Sequence, residues 1–275
     1  MDSAIDFSSD FHMHTSYSDG SANVRLVIET AIQKGMQTIA ITDHMPLPIL
    51  NRYAMNPDAI GRYKDEIRRV RADYADRIDV KIGMEMELLP GYESWTENIV
   101  KSGWEYTIGS VHGIIPNGRH SMVNGTAAEF NSTLDDEFNG DIRAFCTFYY
   151  KSLQAVIDSG LFTTVGHLDV VKKHNKHQAY FDENETWYRD LVIEAIDHVR
   201  TSGMQLEINV AGFNHPVGAP YPSPWIVAEC IDRGVPLVVS SDAHRPENIG
   251  GNFSELRSLP TMNKEIGRIR WTTTN

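Results

Sequence analysis

Cysteine is scarce in this sequence. The only two, Cys146 and Cys230, lie far apart and form no CxxC pair. A disulfide framework and a cysteine-based zinc site are therefore excluded. The sequence also lacks an apolar run of the roughly 18 residues that a transmembrane helix needs. Its N-terminus is acidic and polar, unlike a signal peptide, so we expect a cytoplasmic protein with no membrane partner.

The sequence also has fewer basic than acidic residues. Asp and Glu number 37 against 25 Lys and Arg, which gives a formal net charge of −12. Such a surface repels nucleic acid at long range, so we expect no nucleic-acid partner. An anionic small molecule can still bind where cations are concentrated locally. The 11 histidines are the notable feature, because several lie beside Asp or Glu in short clusters.

Short apolar segments alternate with amphipathic stretches of helical length along the 275 residues. The predicted strands span 10–14, 37–42, 80–85, 106–111, 162–166, 205–209 and 236–240. The predicted helices span 22–34, 58–75, 94–102, 141–159, 185–201 and 224–233. Such alternation favours parallel strands joined by right-handed crossovers. We therefore predict an α/β protein with one barrel domain over residues 1–275, rather than two domains.

The stretch 117–139 departs from this alternation. It is polar, contains scattered glycines and fits neither a helical nor a strand period. We interpret it as a long loop that precedes a helix and covers the active site.

Side chains that can bind metal ions occur at the end of every predicted strand. They are His12, His14, Asp43, His44, Glu85, His112, His167, Glu207, Asn209, Asp242 and His244. In a parallel barrel these strand ends converge on one face, where such enzymes hold their active sites. Residues i and i+2 of a strand point to the same side, so both imidazoles of an HxH pair can reach one ion. One such histidine alone is more often a satisfied polar residue, but seven strand ends together predict a metal-dependent site.

These segments resemble the motifs of the PHP (polymerase and histidinol phosphatase) superfamily. The resemblance runs from about residue 10 to residue 250. Its motifs are His12-Met-His14-Thr15, Asp19-Gly20, Thr42-Asp43-His44, Gly83-Met84-Glu85, Ser110-Val111-His112, Gly166-His167-Leu168-Asp169 and Ser241-Asp242-Ala243-His244. Within the superfamily, the stretches EMELLPG, GLFTTVGHLDVVKK and EINVAG are similar to the monofunctional histidinol-phosphate phosphatases.

The resemblance implies a distorted (β/α)7 TIM-like barrel with three divalent metal ions. The implied ligands are His12, His14, Glu85 and Asp242 for the first ion; Glu85 again with His112 and His167 for the second; and Asp19, His44 and His244 for the third. Mixed imidazole and carboxylate donors suit zinc, iron or manganese and do not select among them. Three dications exceed the charge of three carboxylates, so the site would attract a phosphate dianion.

The activity that the resemblance implies is a phosphoric monoester hydrolase of histidine biosynthesis. It would convert L-histidinol phosphate to L-histidinol and phosphate by attack of a metal-bound hydroxide, which is available near neutral pH. We consider Asp169 and His215 as donors of the leaving-group proton. We expect Asp43 to orient ligands and water, as we do for Glu207 and Asn209.

The phosphate-binding residues are predicted from positions after two of the motifs. Lys172 and Lys173 follow the GHLD motif, with a solvated surface pair as the alternative. His215 follows the EIN motif at a position where enzymes of this type usually have Arg or Lys. Arg245, next to His244, is the predicted compensating cation.

Four other functions compete with this interpretation. One is a PHP phosphoesterase for another monoester, such as a nucleotide or a sugar phosphate. A metal-dependent amidohydrolase also uses an HxH strand, but Glu85 stands where its bridging lysine would be. The −12 charge and the absence of polymerase sequence in these residues argue against a polymerase module. Metal storage would leave open coordination positions unexplained.

Overall fold

The computed structural model describes residues 5–49 and 51–259. Its strands are β1 (Ser9–Asp10), β2 (Thr38–Ile41), β3 (Asp79–Glu87), β4 (Tyr106–Ser110), β5 (Gly113–Ile114), β6 (Ser121–Met122), β7 (Thr164–Val165), β8 (Gln205–Asn209) and β9 (Leu237–Ser240). Its helices are α1 (Val24–Gln33), α2 (Ile60–Ala72), α3 (Glu93–Val100), α4 (Ala127–Phe138), α5 (Ile142–Asp158), α6 (Thr186–Ser202), α7 (Pro224–Asp232) and α8 (Phe253–Ser258).

Seven strands form one parallel sheet in the order β1-β2-β3-β4-β7-β8-β9. The segments that follow the two outer strands meet in a parallel bridge between Met13 and Ala243. Their backbones exchange hydrogen bonds, since the His14 N–H donates to the Ala243 carbonyl at 2.9 Å. The sheet is thus nearly closed into a barrel, which confirms the predicted α/β class and barrel architecture. All seven strands end at the same side of the molecule.

Helix α1 shows how the sequence specifies an outer helix of the barrel. Its buried residues are Val24, Val27, Ile28 and Ala31, which recur at the i, i+3, i+4 and i+7 positions of one face. The Asn23 side chain caps the helix by accepting a hydrogen bond from the Leu26 N–H at 3.0 Å. All six predicted helices are present, and their ends agree with the prediction to within three residues.

Two predicted elements differ from the structure. The stretch 117–139 contains strand β6 and helix α4, so its interpretation as a loop was wrong. Thr126 and Glu129 form a capping box that starts α4, and Phe130 and Leu134 bury its inner face. The first strand, predicted over 10–14, pairs with β2 only over Ser9–Asp10. Helix α8, which was not predicted, packs through Phe253 and Leu256.

The apolar core lies mainly between the sheet and its helices. Tyr149 and Tyr150 of α5 and Tyr188 of α6 are completely buried there, and the Tyr150 and Tyr188 hydroxyls lie 3.2 Å apart. Both cysteines are buried and free. Within the described part of the chain, no helix combines the length and apolar character needed to cross a membrane. The carboxyl end of the barrel, in contrast, is filled with polar side chains.

Candidate metal centre

The nine predicted ligands lie together where the parallel strands end. We call them the candidate metal centre: His12, His14, Asp19, His44, Glu85, His112, His167, Asp242 and His244. Glu85 belongs to strand β3, and Asp19 lies between β1 and α1. The others follow β1, β2, β4, β7 and β9 directly. The barrel itself therefore brings residues that are far apart in sequence to one place.

Glu85 is the most heavily surrounded residue of the centre. Its Oε1 lies 3.0 Å from His167 Nε2 and 3.1 Å from His112 Nε2. Its Oε2 lies 2.9 Å from His44 Nδ1 and 3.2 Å from His12 Nε2. Burial by itself raises the pKa of this carboxyl, but the imidazoles of His112 and His12 outweigh burial and hold the pKa well below its usual range. One buried carboxylate thus lies within 3.2 Å of four imidazoles, and the His14 ring is a little farther away at 3.7 Å.

Two aspartates complete the centre on its more accessible side. Asp242 Oδ1 lies 3.1 Å from His14 Nε2, and Asp19 Oδ1 lies 3.2 Å from His244 Nε2 and 3.7 Å from His44 Nε2. Asp242 has a φ of 51°, a left-handed conformation that few residues other than glycine adopt. The Asp19 side chain is 30% exposed, so the centre can be reached from the cavity.

The donor set fits divalent cations. Three groups have their ligand atoms within 4.8 Å of one another: His14, Asp19, His44 and His244; His12, His14 and Glu85; and His44, Glu85 and His112. His12 Nε2, His14 Nδ1 and Glu85 Oε2 are buried and have no hydrogen-bond partner. Burial and the neighbouring imidazoles lower the pKa of His14 to about 3, so at pH 7 the ring is neutral and one of its two nitrogens carries no proton. Buried nitrogen and oxygen atoms that lack hydrogen-bond partners are the type of ligand atom that divalent metal ions bind in proteins.

The grouping differs in several respects from the ligand sets that the resemblance implies. Asp242 and His167, which were assigned to the first and second ions, belong to none of the three groups. His44 was assigned with Asp19 and His244 alone, yet it also groups with Glu85 and His112. His14 likewise belongs to two groups. The nine positions therefore lie close together, while the assignment of ligands to individual ions stays a prediction.

Two polar residues predicted to orient the ligands contact them directly. Glu207 Oε1 lies 2.6 Å from His12 Nδ1, and the His167 N–H donates to Glu207 Oε2 at 2.7 Å. The Asn209 side-chain amide donates to Asp242 Oδ2 at 3.0 Å. A carboxylate on the far nitrogen fixes the tautomer of an imidazole and leaves the other nitrogen free for an ion.

Glu87 makes a similar contact that the sequence reasoning missed. Its Oε1 lies 3.2 Å from His112 Nδ1 and accepts a hydrogen bond from the Tyr53 hydroxyl at 2.9 Å. The signal was present, because Glu87 stands two residues after Glu85 on strand β3 and so shares its face. The i+2 argument had not been extended to this strand.

Asp43 holds the loop that carries Asp19. Its buried carboxylate accepts hydrogen bonds from the Thr15 N–H and hydroxyl, at 2.9 and 2.8 Å, and from the Ser18 N–H and hydroxyl, at 3.0 and 2.6 Å. It does not line the cavity described next. Asp43 thus acts on the centre through the backbone of residues 15–18.

A cavity of about 860 Å³ opens onto the centre. Its wall includes five members of the centre: Asp19, His44, His112, Asp242 and His244. Of the predicted phosphate-binding residues, Lys173 and His215 line it. Burial is the main cause that lowers the pKa of His215 to about 4, and the positive charge of Lys173 is the second cause. At neutral pH the imidazole is therefore neutral, so of these two residues Lys173 is the one that supplies positive charge, and Arg52 is a second cation in the wall.

The other predicted residues do not reach this cavity. Lys172 and Asp169 form an ion pair at 2.8 Å and are completely buried, so the surface-pair alternative is wrong for Lys172. Asp169 also accepts a hydrogen bond from the Ser223 N–H at 2.9 Å. Arg245 is exposed and is absent from the cavity wall. The turn over Val170–Lys172 separates the two adjacent lysines, because it buries the first and leaves Lys173 in the wall.

The chain belongs to the PHP domain family, whose match spans residues 10–211. A Deinococcus radiodurans protein that bears the name probable histidinol-phosphatase is 31% identical over 250 residues, covering 90% of this chain and 90% of that protein. The family resemblance drawn from the sequence motifs is thereby confirmed.

Two solved structures share the fold. A crystal structure of a Listeria monocytogenes protein, described as a candidate histidinol phosphatase, has a TM-score of 0.84 and 21% identity and covers 90% of this chain and 99% of that one. The histidinol phosphate phosphatase of Lactococcus lactis, in complex with zinc, L-histidinol and phosphate, has a TM-score of 0.72 and 20% identity. This match covers 94% of this chain and 93% of that one.

Proposed function

We propose that this protein is a metal-dependent phosphatase that hydrolyses L-histidinol phosphate to L-histidinol and phosphate. The observation that carries the proposal is the convergence of six imidazoles and three carboxylates beside one open cavity. The similarity to a Deinococcus radiodurans protein named for this activity supports the choice of substrate. The cytoplasmic location stays a prediction from the sequence.

We propose three divalent ions in the candidate metal centre, held by the nine side chains with Glu85 shared between two ions. Bound zinc in the Lactococcus lactis relative supports zinc, and the donors also suit iron and manganese. Such ions supply Lewis acidity, which activates water and offsets the charge of a phosphoryl group. Glu207 and Glu87 would keep His12 and His112 in the orientation that this binding needs.

Lys173 and His215 are the proposed phosphate-binding residues. Lys173 supplies a cation to the phosphate dianion. His215 is neutral, and its Nδ1 lies 3.0 Å from the Tyr221 hydroxyl. When that hydroxyl donates to Nδ1, Nε2 carries the hydrogen and can donate it to a phosphoryl oxygen. Tyr221 thereby sets the tautomer that binds phosphate.

Water in the cavity is the proposed source of the leaving-group proton. Asp169 is paired with Lys172 and lies outside the cavity wall. His215 has a pKa of about 4, so it has no imidazolium proton to give at neutral pH. Both earlier candidates for the general acid are therefore set aside in this proposal.

Phosphate release from a panel of monoesters tests the function. The enzyme is loaded with zinc or manganese and assayed on L-histidinol phosphate, a nucleotide monophosphate and a sugar phosphate. His14→Ala removes a member of the centre, and His198→Ala is the matched control, since His198 is a partly exposed residue of α6. Metal content is measured for each variant.

We expect L-histidinol phosphate to lead the panel in kcat/KM by orders of magnitude, with activity and metal content lost only in His14→Ala. A higher kcat/KM for the nucleotide or the sugar phosphate would favour the alternative function, a PHP phosphoesterase that acts on another phosphate monoester. Full activity in His14→Ala would overturn the metal-dependent phosphatase altogether.

A further inference from the structure

The cavity wall contains one carboxylate outside the candidate metal centre. The acidic residues among its described lining are Asp19, Asp242 and Glu129. The first two belong to the centre. Glu129 belongs to helix α4, the helix that the sequence analysis had interpreted as a loop. Its carboxylate therefore adds a negative charge to a cavity whose other end is built to bind an anion.

The Glu129 side chain is held in place, but the hydrogen-bonding capacity of its carboxylate is not fully used. Its Oε2 accepts two hydrogen bonds of 2.8 Å from the N–H and hydroxyl of Thr126. Its Oε1 lies 3.2 Å from a terminal nitrogen of Arg52, whose side chain is 90% exposed. A carboxylate offers about four lone-pair sites. The capping box thus fixes the side chain, and among the described residues only the weak surface ion pair with Arg52 would have to be displaced.

Lys173 connects this carboxylate to the phosphate end of the cavity. Burial lowers the pKa of Lys173, whereas the charges of Asp242 and Glu129 raise it, so the ammonium feels both carboxylates. Its Nζ donates to the Asn124 carbonyl, and His174 Nε2 lies 3.0 Å from the Gly125 carbonyl. The segment 124–126 therefore ties the proposed phosphate cation to the residue that caps α4.

We propose that Glu129 binds the ammonium group of a phosphate monoester whose amino group is on the carbon next to the ester-bearing carbon. Glu129 would then select such substrates over monoesters that lack this charge. The inference rests on the proposed phosphatase function and deepens it, because L-histidinol phosphate carries an amino group at this position. The substrate ammonium takes the free lone pair of Glu129 or replaces Arg52.

The test compares L-histidinol phosphate with 3-(imidazol-4-yl)propyl phosphate, which lacks only the amino group. The measured quantity is the ratio of their kcat/KM values with metal-loaded enzyme. Glu129→Gln keeps a capping box, because glutamine serves at this position as glutamate does. We expect the ratio to fall about tenfold to a hundredfold, the loss typical of a hydrogen bond to a charged group. If Glu129→Gln also altered the charge of Lys173, kcat/KM would change by the same factor for both substrates, and this change would cancel in the ratio.

Arg52→Gln separates recognition from a structural role of the ion pair. If Glu129 recognises the substrate, removing its competing cation raises the ratio, by about twofold to fivefold for an exposed pair. If the pair only supports the loop, both variants lower activity on both substrates and leave the ratio unchanged. Opposite shifts in the two variants are therefore the expected result.

Asp141→Asn is the matched control. Asp141 caps α5 by accepting a hydrogen bond from the Ala144 N–H at 3.0 Å, lies outside the cavity wall, and is replaced by an equally good cap. We expect its ratio to equal that of the wild type. An unchanged ratio in Glu129→Gln overturns the inference and leaves the proposed function standing. Failure of the wild type to hydrolyse either ester overturns the proposed function itself.

Discussion

Two buried polar clusters lie at the carboxyl end of the barrel, and they balance their charges differently. In the first, Lys172 pairs with Asp169 at 2.8 Å and donates to Ser223, whose hydroxyl donates to Glu183 at 2.6 Å. We call these four residues the Lys172 cluster. The second is the candidate metal centre, where Glu85 faces four imidazoles and buried ligand atoms are left without hydrogen-bond partners.

The comparison shows how a buried polar cluster that stabilises the fold differs from one that is arranged to bind ions. The Lys172 cluster contains its own cation, which pairs with Asp169, although burial still raises the pKa of that carboxyl and leaves its Oδ1 without a hydrogen-bond partner. The candidate metal centre contains acids and imidazoles but no permanent cation, and its unpaired nitrogens match the donors that metal ions take. His167 and Lys172 are only five positions apart, so sequence distance does not separate the two kinds of cluster.

The largest effect is expected for Glu85→Ala, because four imidazoles lose the carboxylate they share. We expect the kcat of L-histidinol phosphate hydrolysis to fall at least about a thousandfold, since metal ions contribute several kcal/mol to such reactions. Metal bound per chain, measured on the purified variant, should fall as well. Glu97→Ala, which removes an exposed glutamate of α3, is the control. Retained metal with retained activity would show that Glu85 is not a shared ligand.

Lys172→Met tests the other cluster, because it leaves the buried Asp169 carboxylate without its cation. We expect the free energy of unfolding, measured in urea, to fall by about 3–5 kcal/mol. Metal content and the activity of the folded fraction should not change. Lys151→Met, at an exposed position of α5, should cost less than about 0.5 kcal/mol. If Lys172→Met lost bound metal but kept its stability, the Lys172 cluster would be part of the metal site and the distinction between the two clusters would be wrong.

Glu87→Gln probes the centre from outside. Its side chain lies 3.2 Å from His112 Nδ1, so the substitution weakens the orientation of that imidazole without removing a ligand. We expect metal affinity, measured by competition with a chelator, to fall about 10–100-fold. Activity at saturating metal should largely recover. The hypothesis fails if affinity stays at the wild-type value.

The smallest effect concerns His215, whose imidazole lies beside the Tyr221 hydroxyl. Its folded-state pKa of about 4 is below the value near 6.5 in the unfolded chain. The unfolded state therefore binds the proton first, and stability that is complete above pH 6.5 is lost as the pH falls toward 4. Between pH 7 and 5 the wild type should lose about 1–2 kcal/mol more than His215→Gln. Parallel stability curves would contradict the lowered pKa.

Eight of the nine members of the centre were predictable as candidates from residue types at strand ends, because strands leave a strong periodic signal. Asp19, which lies between β1 and α1, was assigned only through the family resemblance. The fate of Lys172 and Lys173 was not, since a single turn decides which of two adjacent lysines is buried. Helix α4 was missed because its apolar face has few members, although the Thr126–Glu129 capping signature was readable. Glu87 was missed because the i+2 argument was not extended from Glu85 along strand β3.

The left-handed backbone at Asp242 sets stability and function against each other at one position. Glycine adopts a φ of 51° without the cost that a side chain carries, about 1 kcal/mol. A glycine there would relax the chain, yet it would remove the carboxylate that faces His14. At this residue the backbone alone would favour glycine, whereas the hydrogen bond from Asn209 and the contact with His14 favour aspartate, so backbone relaxation and side-chain contacts oppose each other at one position.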